Sequence, residues 1–330
     1  MHHHRRITAV LLPATLLLVL GARPCAAAPR QHTAANHHHA AAATRHSGAN
    51  PVAAHAHSNT VRPRTAASNH AAGPDLKSNS FYVLDEASQA VVLSKQADVA
   101  TPIASITKLM TALVIVEAHQ PMDEIITVTP EDRGETAKSS TSRLAFGTAL
   151  SRSDLLHLAL MSSENRAAHA LGRTYPGGIA ACVAAMNAKA KALGMNSAHF
   201  AEPTGLDTGN VASPEDLAKL VRAAGDHQII QEYSTDPSYS VSVQRKQVEF
   251  HNTDALVRNP TWNILVQKTG YIAEAGRCLV LRAIVEGRSV IIVLLDSAGT
   301  YTRVADAQRV RQWLERQLGD GSHSNGRRGG

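Results

Sequence analysis

The sequence predicts an α+β fold, with one antiparallel sheet flanked by helices and an all-helical lobe. Three observations carry this prediction. Runs rich in β-branched and aromatic residues stand near the start of the folded part, at 81–84 and 90–93, and again near its end, at 264–295. The segments between them, from about 103 to 224, have helical periodicity. Strands at both ends with helices between them are typical of an α+β domain.

The predicted strands are β-rich runs bounded by turn residues. Phe81–Leu84 and Ala90–Leu93 are separated by five mostly polar residues and predict a hairpin. Tyr239–Phe250 alternates between apolar and polar residues, which also predicts strands. Three apolar runs close the domain, at 264–269, 278–285 and 290–295, and Glu286-Gly287-Arg288 turns the last two into a hairpin.

The predicted helices begin and end at recognisable residues. They are 103–118 after Pro102, 151–170 with a break near Met161-Ser162-Ser163, 179–193 stopped by Gly194, 217–224 opened by Ser213-Pro214-Glu215-Asp216, and 302–318. Ser213 has the features of an N-cap, because Pro at the first helical position and acids in the first turn follow it. The run 302–318 is amphipathic and closes the fold.

The first 28 residues predict an export signal. Arg5 and Arg6 give a positive start, an apolar run spans 7–20, and small residues at 25–28 offer a cleavage site. The apolar run is short for a membrane span. We therefore expect a periplasmic protein with no stable membrane anchor after cleavage. An uncleaved anchor or a lipid on Cys25 are the alternatives.

Residues 29–78 predict a disordered linker rich in His and Ala. A folded domain over 79–318 and a flexible tail over 319–330 are expected to follow. The linker has almost no large apolar side chain, so it cannot offset its ordering entropy. Eleven of the 18 histidines lie in residues 1–70. Such a tract could hold a metal ion loosely, but a soluble tether is the simpler interpretation, and no metal site or cofactor is predicted.

The charge distribution gives no reason to expect nucleic acid as a partner. The formal net charge is +6, but residues 1–74 contain seven Arg and no acidic residue. Residues 75–330 carry the other 26 basic residues and all 27 acidic ones, so the folded part is close to neutral. Positive charge confined to a leader and a linker is no sign of a binding surface on the domain.

Two cysteines remain after the predicted cleavage. Cys182 stands in an Ala-rich helical segment and Cys278 in a strand-like run. A disulfide in an oxidising compartment is one possibility. Separate burial as small apolar residues is the other, and the surrounding sequence favours it.

Three short motifs occur once each and in a fixed order. They are Ser105-Ile106-Thr107-Lys108, Ser163-Glu164-Asn165 and Lys268-Thr269-Gly270. A lone S-x-x-K means little, because average residue usage places about one in a chain of this length by chance. The ordered set of three is typical of active-site serine enzymes that open D-alanyl amides and β-lactams.

The first motif has the chemistry of a nucleophile and its base. A serine hydroxyl attacks an amide only after its proton is removed, and Lys108 lies on the same helical face as Ser105. An ammonium at its ordinary pKa near 10.4 is no base. The site must lower that pKa by desolvation and by a neighbouring cation, for which Lys268 is the candidate. Free N–H groups at the helix start could hold an oxyanion at Ser105.

The second motif predicts groups that move a proton and bind substrate. Ser163 could relay a proton between Lys108 and the leaving amine. Asn165 could donate to the carbonyl of the substrate backbone. The same amide could also orient Lys108.

The third motif predicts a strand edge that binds a peptide. Lys268 and Thr269 could bind a terminal carboxylate. Gly270 has no side chain, so an extended peptide could lie along the strand as an added strand. The N–H of Tyr271 is the expected second oxyanion donor.

With these motifs, the chain resembles the low-molecular-mass penicillin-binding proteins. More narrowly, it is similar to the D-alanyl-D-alanine carboxypeptidase/endopeptidase family of the penicillin-binding protein 7 type. The resemblance covers about residues 80–318 and includes the flanks Pro102–Met110, Met161–Ala168, Glu202–Leu206, Gln267–Tyr271 and Ala275–Cys278. It implies a β-lactamase/transpeptidase-like fold and an acyl-enzyme on Ser105, formed without a metal ion.

The resemblance also implies partners and alternatives. Peptidoglycan stem peptides are the implied substrates, and β-lactams are the implied covalent inhibitors. A β-lactam sensor or wall-binding scaffold on the same fold is one alternative. A β-lactamase is less favoured, because the chain has no deacylating Glu in a Glu-x-x-Leu-Asn loop. The chain stops soon after its last predicted helix, which favours the endopeptidase type, but carboxypeptidase activity stays open.

Overall fold

The structure is a computed structural model that describes residues 73–134 and 142–324. Its strands are β1 (Ser78–Asp85), β2 (Ala90–Lys95), β3 (Thr101–Pro102), β4 (Ile125–Thr127), β5 (Ala149–Ser151), β6 (Val211–Ala212), β7 (Ser238–Val243), β8 (Lys246–His251), β9 (Asn263–Ile272), β10 (Gly276–Val285) and β11 (Arg288–Ser297). Its α-helices are α1 (Thr107–Glu117), α2 (Arg152–Met161), α3 (Asn165–Arg173), α4 (Gly178–Ala192), α5 (Pro214–Ala224), α6 (Gln228–Thr235) and α7 (Thr302–Ser324). The predicted signal peptide over 1–28 and the predicted linker up to residue 72 lie outside the described residues.

Five strands form one antiparallel sheet in the order β2-β1-β11-β10-β9. Strand β1 pairs with β11, so the two ends of the domain meet in the middle of the sheet. Glu286 and Gly287 have φ of +48° and +73°, which suits the two-residue turn that joins β10 to β11. Strand β9 is the last strand of the sheet, so the motif Lys268–Gly270 lies on an edge strand.

The sheet is buried on both faces. Along β11, Ile291 and Val293 belong to a core shared with the helices, whereas Ile292 and Leu294 belong to a second core that includes Trp313 of α7. Alternate residues of a strand point to opposite faces, so β11 separates the two cores. Helix α5 covers one face and α7 the other.

Helix α1 lies inside the helical part of the domain. All nine residues from Thr107 to Ile115 are buried, as expected for a helix that is apolar on every side and surrounded by neighbours. Helices α2, α3, α4 and α5 all contact it. The charged residue among these nine is Lys108, which this helix carries into the interior.

Most predicted elements are confirmed, with four differences. The strands β3, β4, β5 and β6 were not predicted, because two or three residues are too few to show a periodic pattern. Helix α6 was not predicted, because its eight residues are too few to be stable alone and it depends on packing against β9. The predicted strands in 239–250 form a separate two-stranded hairpin, β7-β8. Helix α7 continues six residues beyond Leu318.

Cys182 and Cys278 are separate buried thiols. Burial raises the pKa of Cys182 to about 12 and that of Cys278 to about 11. A thiol with so high a pKa stays protonated and is a poor nucleophile. In the part of the chain that the structure describes, no helix is both long enough and apolar enough to cross a bilayer.

Candidate active site

Ser105 lies in a short 3-10 turn, Ala104–Ile106, that leads directly into α1. Lys108 follows one turn later, so both side chains lie on the same side of the helix start. Ala104 has φ +47°, a conformation that costs a non-glycine residue about 1–3 kcal/mol. This strain sits immediately before the serine, where the surrounding packing must hold it.

Three oxygen atoms surround the Lys108 amine. Its Nζ lies 2.9 Å from Ser105 Oγ, 2.7 Å from Asn165 Oδ1 and 2.6 Å from the backbone oxygen of Thr204. The last two oxygens can only accept hydrogen bonds, whereas a hydroxyl can also donate. A neutral amine has two N–H bonds and one lone pair. If it donates to Asn165 and Thr204, its lone pair is left for the proton of Ser105.

Burial lowers the pKa of Lys108 to about 8, because the side chain is almost wholly enclosed and its ammonium loses hydration. The carboxylates of Glu202 and Glu164 act in the opposite direction and raise it. Burial and the charge of Lys108 also hold the pKa of Lys268 well below its usual range. Because repulsion between two cations is mutual, the expectation that Lys268 helps to lower the pKa of Lys108 stays a prediction, with burial as the largest cause.

The S-x-N motif spans the break between α2 and α3. Ser163 has φ +60°, a left-handed conformation that interrupts the helix, and α3 begins two residues later at Asn165. Ser163 and Asn165 line a cavity of about 260 Å³. Asn165 contacts Lys108, whereas no hydrogen bond joins the Ser163 hydroxyl to Lys108 or Ser105.

The site has a helical side, formed by Ser105, Lys108 and Asn165, and a strand side, formed by Lys268–Gly270 of β9. The strand side carries a second buried lysine. Lys268 is fully enclosed, and its Nζ donates to the backbone oxygen of Thr269 at 2.9 Å. The hydroxyl of Thr269 lies 2.6 Å from the hydroxyl of Thr253. Lys268 is therefore not a solvated strand end, which is the ordinary place for a lysine at the edge of a sheet.

Gly270 brings strand β9 against the 3-10 turn Ala104–Ile106, which is called the nucleophile turn here because Ser105 is the predicted nucleophile. A Cβ on this residue would lie 2.9 Å from the backbone oxygen of Ile103 and 3.1 Å from the backbone nitrogen of Ser105. Real Cβ atoms do not approach so closely, so only glycine permits this contact. Tyr271 is exposed, and the guanidinium of Arg277 lies 4.5 Å from the centre of its ring.

Positive charge collects on the strand side. Burial and the charge of Arg277 lower the pKa of Arg303, and Arg303 in turn lowers the pKa of Lys268. The carboxyl group of Asp254 lies near Arg303 and Lys268, and burial raises its pKa. Within the described residues, Arg303 Nε and Nη1 are buried without a hydrogen-bond partner. Buried donors normally have partners, so these suit an anion.

Sequence reasoning missed Thr204 and Arg303. The segment Glu202–Leu206 was visible as a flank of the resemblance, but nothing in it indicated that a backbone oxygen of Thr204 binds Lys108. Arg303 is distant in sequence from every motif. Among residues 73–134 and 142–324, no three His, Cys, Asp or Glu side chains are grouped so that they could share a metal ion.

A sequence model of the protein family described as D-alanyl-D-alanine carboxypeptidase matches residues 66–299. The chain belongs to this family. The D-alanyl-D-alanine endopeptidases of Pseudomonas aeruginosa and Escherichia coli are 44% and 43% identical to it. These alignments cover 73% and 76% of this chain, and 78% and 82% of the two relatives.

Solved structures of the family share the fold. The DD-transpeptidase of Streptomyces K15 is 24% identical, with a TM-score of 0.69 over 73% of this chain and 98% of that one. A D-alanyl-D-alanine carboxypeptidase from Mycobacterium tuberculosis is 26% identical, with a TM-score of 0.67 over 74% of this chain and 94% of that one. The predicted family, the α+β transpeptidase-like fold class and the prediction of a serine peptidase are confirmed.

Proposed function

We propose that the chain cleaves D-alanyl-D-alanine peptides through an acyl-enzyme on Ser105. The arrangement of oxygens around Lys108 is the observation that carries this proposal. Lys108 takes the proton of Ser105 as the serine oxygen bonds to the substrate carbonyl carbon. The C–N bond then breaks, and the proton passes to the leaving amine, with Ser163 as the relay. Water hydrolyses the ester and restores the serine.

The charges on the strand side support recognition of a carboxylate. Lys268 and Arg303 are basic side chains with buried nitrogen atoms and few hydrogen-bond partners, and the hydroxyl of Thr269 is close by. A substrate carboxylate placed among them would favour the protonated form of Lys268, because an opposite charge raises the pKa of an amine. We therefore expect substrate binding to be coupled to proton uptake. The N–H groups of Ser105 and Tyr271 are the proposed oxyanion donors.

Glu202 supplies an argument against a β-lactamase. It is near enough to Lys108 to raise the pKa of that amine, so its position alone would suit a deacylating base. However, its two oxygens already accept hydrogen bonds from the N–H groups of Thr204, Gly205 and Leu206 and from Asn210 Nδ2. A carboxylate that accepts four hydrogen bonds is not free to activate water, so a penicilloyl ester should persist.

The endopeptidase type is the better supported specificity. Two relatives with more than 40% identity are named endopeptidases, whereas five relatives named carboxypeptidases are 25–30% identical. We propose peptidoglycan stem peptides as substrates and β-lactams as covalent inhibitors. We also propose residues 1–28 as a signal peptide for export to the periplasm, 29–78 as a linker and 79–318 as the peptidase domain.

Labelling with a fluorescent penicillin tests the proposal. Wild-type protein should carry one durable label, and Ser105→Ala should carry none. A label on Ser105→Ala would contradict the assignment of the nucleophile, and rapid loss of the wild-type label would favour a β-lactamase. Digestion of purified muropeptides then separates the remaining candidates. Cleaved cross-linked dimers indicate an endopeptidase, release of D-Ala from pentapeptides a carboxypeptidase, and neither product a sensor.

A further inference from the structure

The loop Glu202–Leu206 holds a carboxylate inside its own backbone. Glu202 Oε2 accepts from the N–H of Thr204 at 2.6 Å, and Oε1 accepts from the N–H of Gly205 and from the N–H of Leu206 at 3.0 Å. Asn210 Nδ2 donates to Oε1 at 2.7 Å. Successive N–H groups around one anion form a compact nest that fixes the orientation of each peptide unit.

Two of these peptide units are held at both ends. In a trans peptide, the N–H and the C=O point in opposite directions. The N–H of Gly205 bonds to Glu202, so the C=O of the same peptide unit, which belongs to Thr204, points away from the carboxylate and meets Lys108 Nζ at 2.6 Å. The preceding unit behaves likewise, because its C=O on Pro203 accepts from Thr111 Oγ1 at 2.8 Å.

Both carbonyls therefore bind side chains on the same face of α1. Lys108 and Thr111 are three residues apart, which places them one turn from each other. Gly205 seals the loop against the nucleophile turn. It has φ +82°, and a Cβ there would lie 2.0 Å from the backbone oxygen of Ala104. The loop thus has one defined position relative to Ser105 and Lys108.

We propose that Glu202 is a positioning residue for catalysis: it fixes the Thr204 carbonyl on the Lys108 amine, so that the amine directs its lone pair to Ser105. This inference rests on the proposed function. If the Thr204 carbonyl turned away, Lys108 could donate to Ser105 instead of accepting its proton. An amide cannot replace the carboxylate, because four donors converge on its two oxygens and an amide has only one acceptor oxygen.

The charge of Glu202 gives the proposal a distinct signature. Lys108 faces Glu164 and Asn165 at the start of α3, Lys268 from β9, and Glu202 and Thr204 from the loop. Burial lowers the pKa of Lys108, and the two carboxylates oppose burial by raising it. Removing Glu202's charge disfavours the ammonium. The amine then loses its proton at lower pH, so the acid limb of the acylation profile should move to lower pH.

The experiment measures the second-order rate constant for acylation by a fluorescent penicillin as a function of pH. Glu202→Gln should lower the plateau at least about tenfold and move the acid limb to lower pH. Glu202→Asp keeps the charge but is one methylene shorter, so its plateau should fall at least about fivefold with a smaller movement of the limb. Asp207→Asn is the matched control, because Asp207 directly follows the loop and its carboxylate accepts from one backbone N–H, that of Gly209.

A smaller fall in the Glu202→Gln plateau, or an unmoved limb, would overturn the proposal. An equal fall in the acylation plateau of Asp207→Asn would also overturn it, because the loss of either carboxylate would then slow acylation equally. If Glu202→Gln does not melt cooperatively, Glu202→Asp tests the proposal instead. A fall of at least about fivefold in its acylation plateau supports the proposal, and a smaller fall contradicts it. Ser105→Ala in the same assay separates failure of the proposed function from failure of this inference. Labelling of Ser105→Ala contradicts the proposed function. If Ser105→Ala is not labelled and Glu202→Gln is acylated at the normal rate, only this inference is contradicted.

Discussion

The helical side and the strand side of the site each bury one lysine, but they surround it differently. Lys108 on the helical side has three oxygens around its amine and two carboxylates near it. Lys268 on the strand side has one backbone oxygen and cationic neighbours. Burial lowers both pKa values. At Lys108 two carboxylates oppose burial and the pKa is about 8, whereas at Lys268 two cations add to burial and Asp254, the one carboxylate that opposes it, has the smallest effect. The surroundings, rather than the side chain, suit Lys108 to the proposed role of a base and Lys268 to the proposed role of binding an anion.

Exchanging each lysine for arginine breaks this comparison most sharply. Arginine keeps the charge but cannot act as a base near neutral pH. Lys108→Arg should therefore reduce penicillin acylation by about 10³-fold, at the middle of the range for a lost base. Lys268→Arg should reduce it by only about tenfold, because a cation is retained. Equal losses, measured on variants with unchanged melting temperatures, would mean that both lysines act through charge.

The two glycines that touch the nucleophile turn sharpen the comparison. In Gly205→Ala, on the helical side, the new Cβ would clash with the backbone of Ala104, and alanine would have to adopt a left-handed φ. This substitution should therefore lower the free energy of unfolding by about 2–4 kcal/mol. Gly270→Ala on the strand side meets a milder clash, and there the main loss should be in acylation, by about 10–100-fold, since a small misplacement suffices. Urea unfolding and penicillin labelling separate the two effects. Normal labelling of Gly270→Ala would contradict the close approach of β9.

The threonine pair on the strand side should show the smallest effects. Thr269→Val removes the hydroxyl proposed to bind the substrate carboxylate, and cleavage of carboxylate-ended peptides should weaken about tenfold. Thr253→Val keeps that hydroxyl and removes only its partner, so it should cost about 1 kcal/mol of stability and leave activity within threefold. If the two variants lose equal activity, Thr269 is structural and does not bind substrate.

The sequence predicted the site where the chemistry resides in side chains. Ser105, Lys108 and Asn165 meet as expected, because three-residue spacing on a helix fixes the first pair and the helix break at Ser163 brings in the third. The contribution of Thr204 could not be predicted, since every residue has a carbonyl and only the folded loop aims this one. Helix α6 was missed for a related reason: tertiary contacts with β9, and not local propensity, stabilise it.

The acylation rate of the wild-type protein as a function of pH tests the central claim most directly. If Lys108 is the base, the rate should rise as its ammonium loses a proton and should level off above a midpoint near pH 8. The rise should be absent from the residual activity of Lys108→Arg. A midpoint close to 10.5, the ordinary value of a lysine, would contradict the account, because it would mean that the buried amine is not prepared as a base.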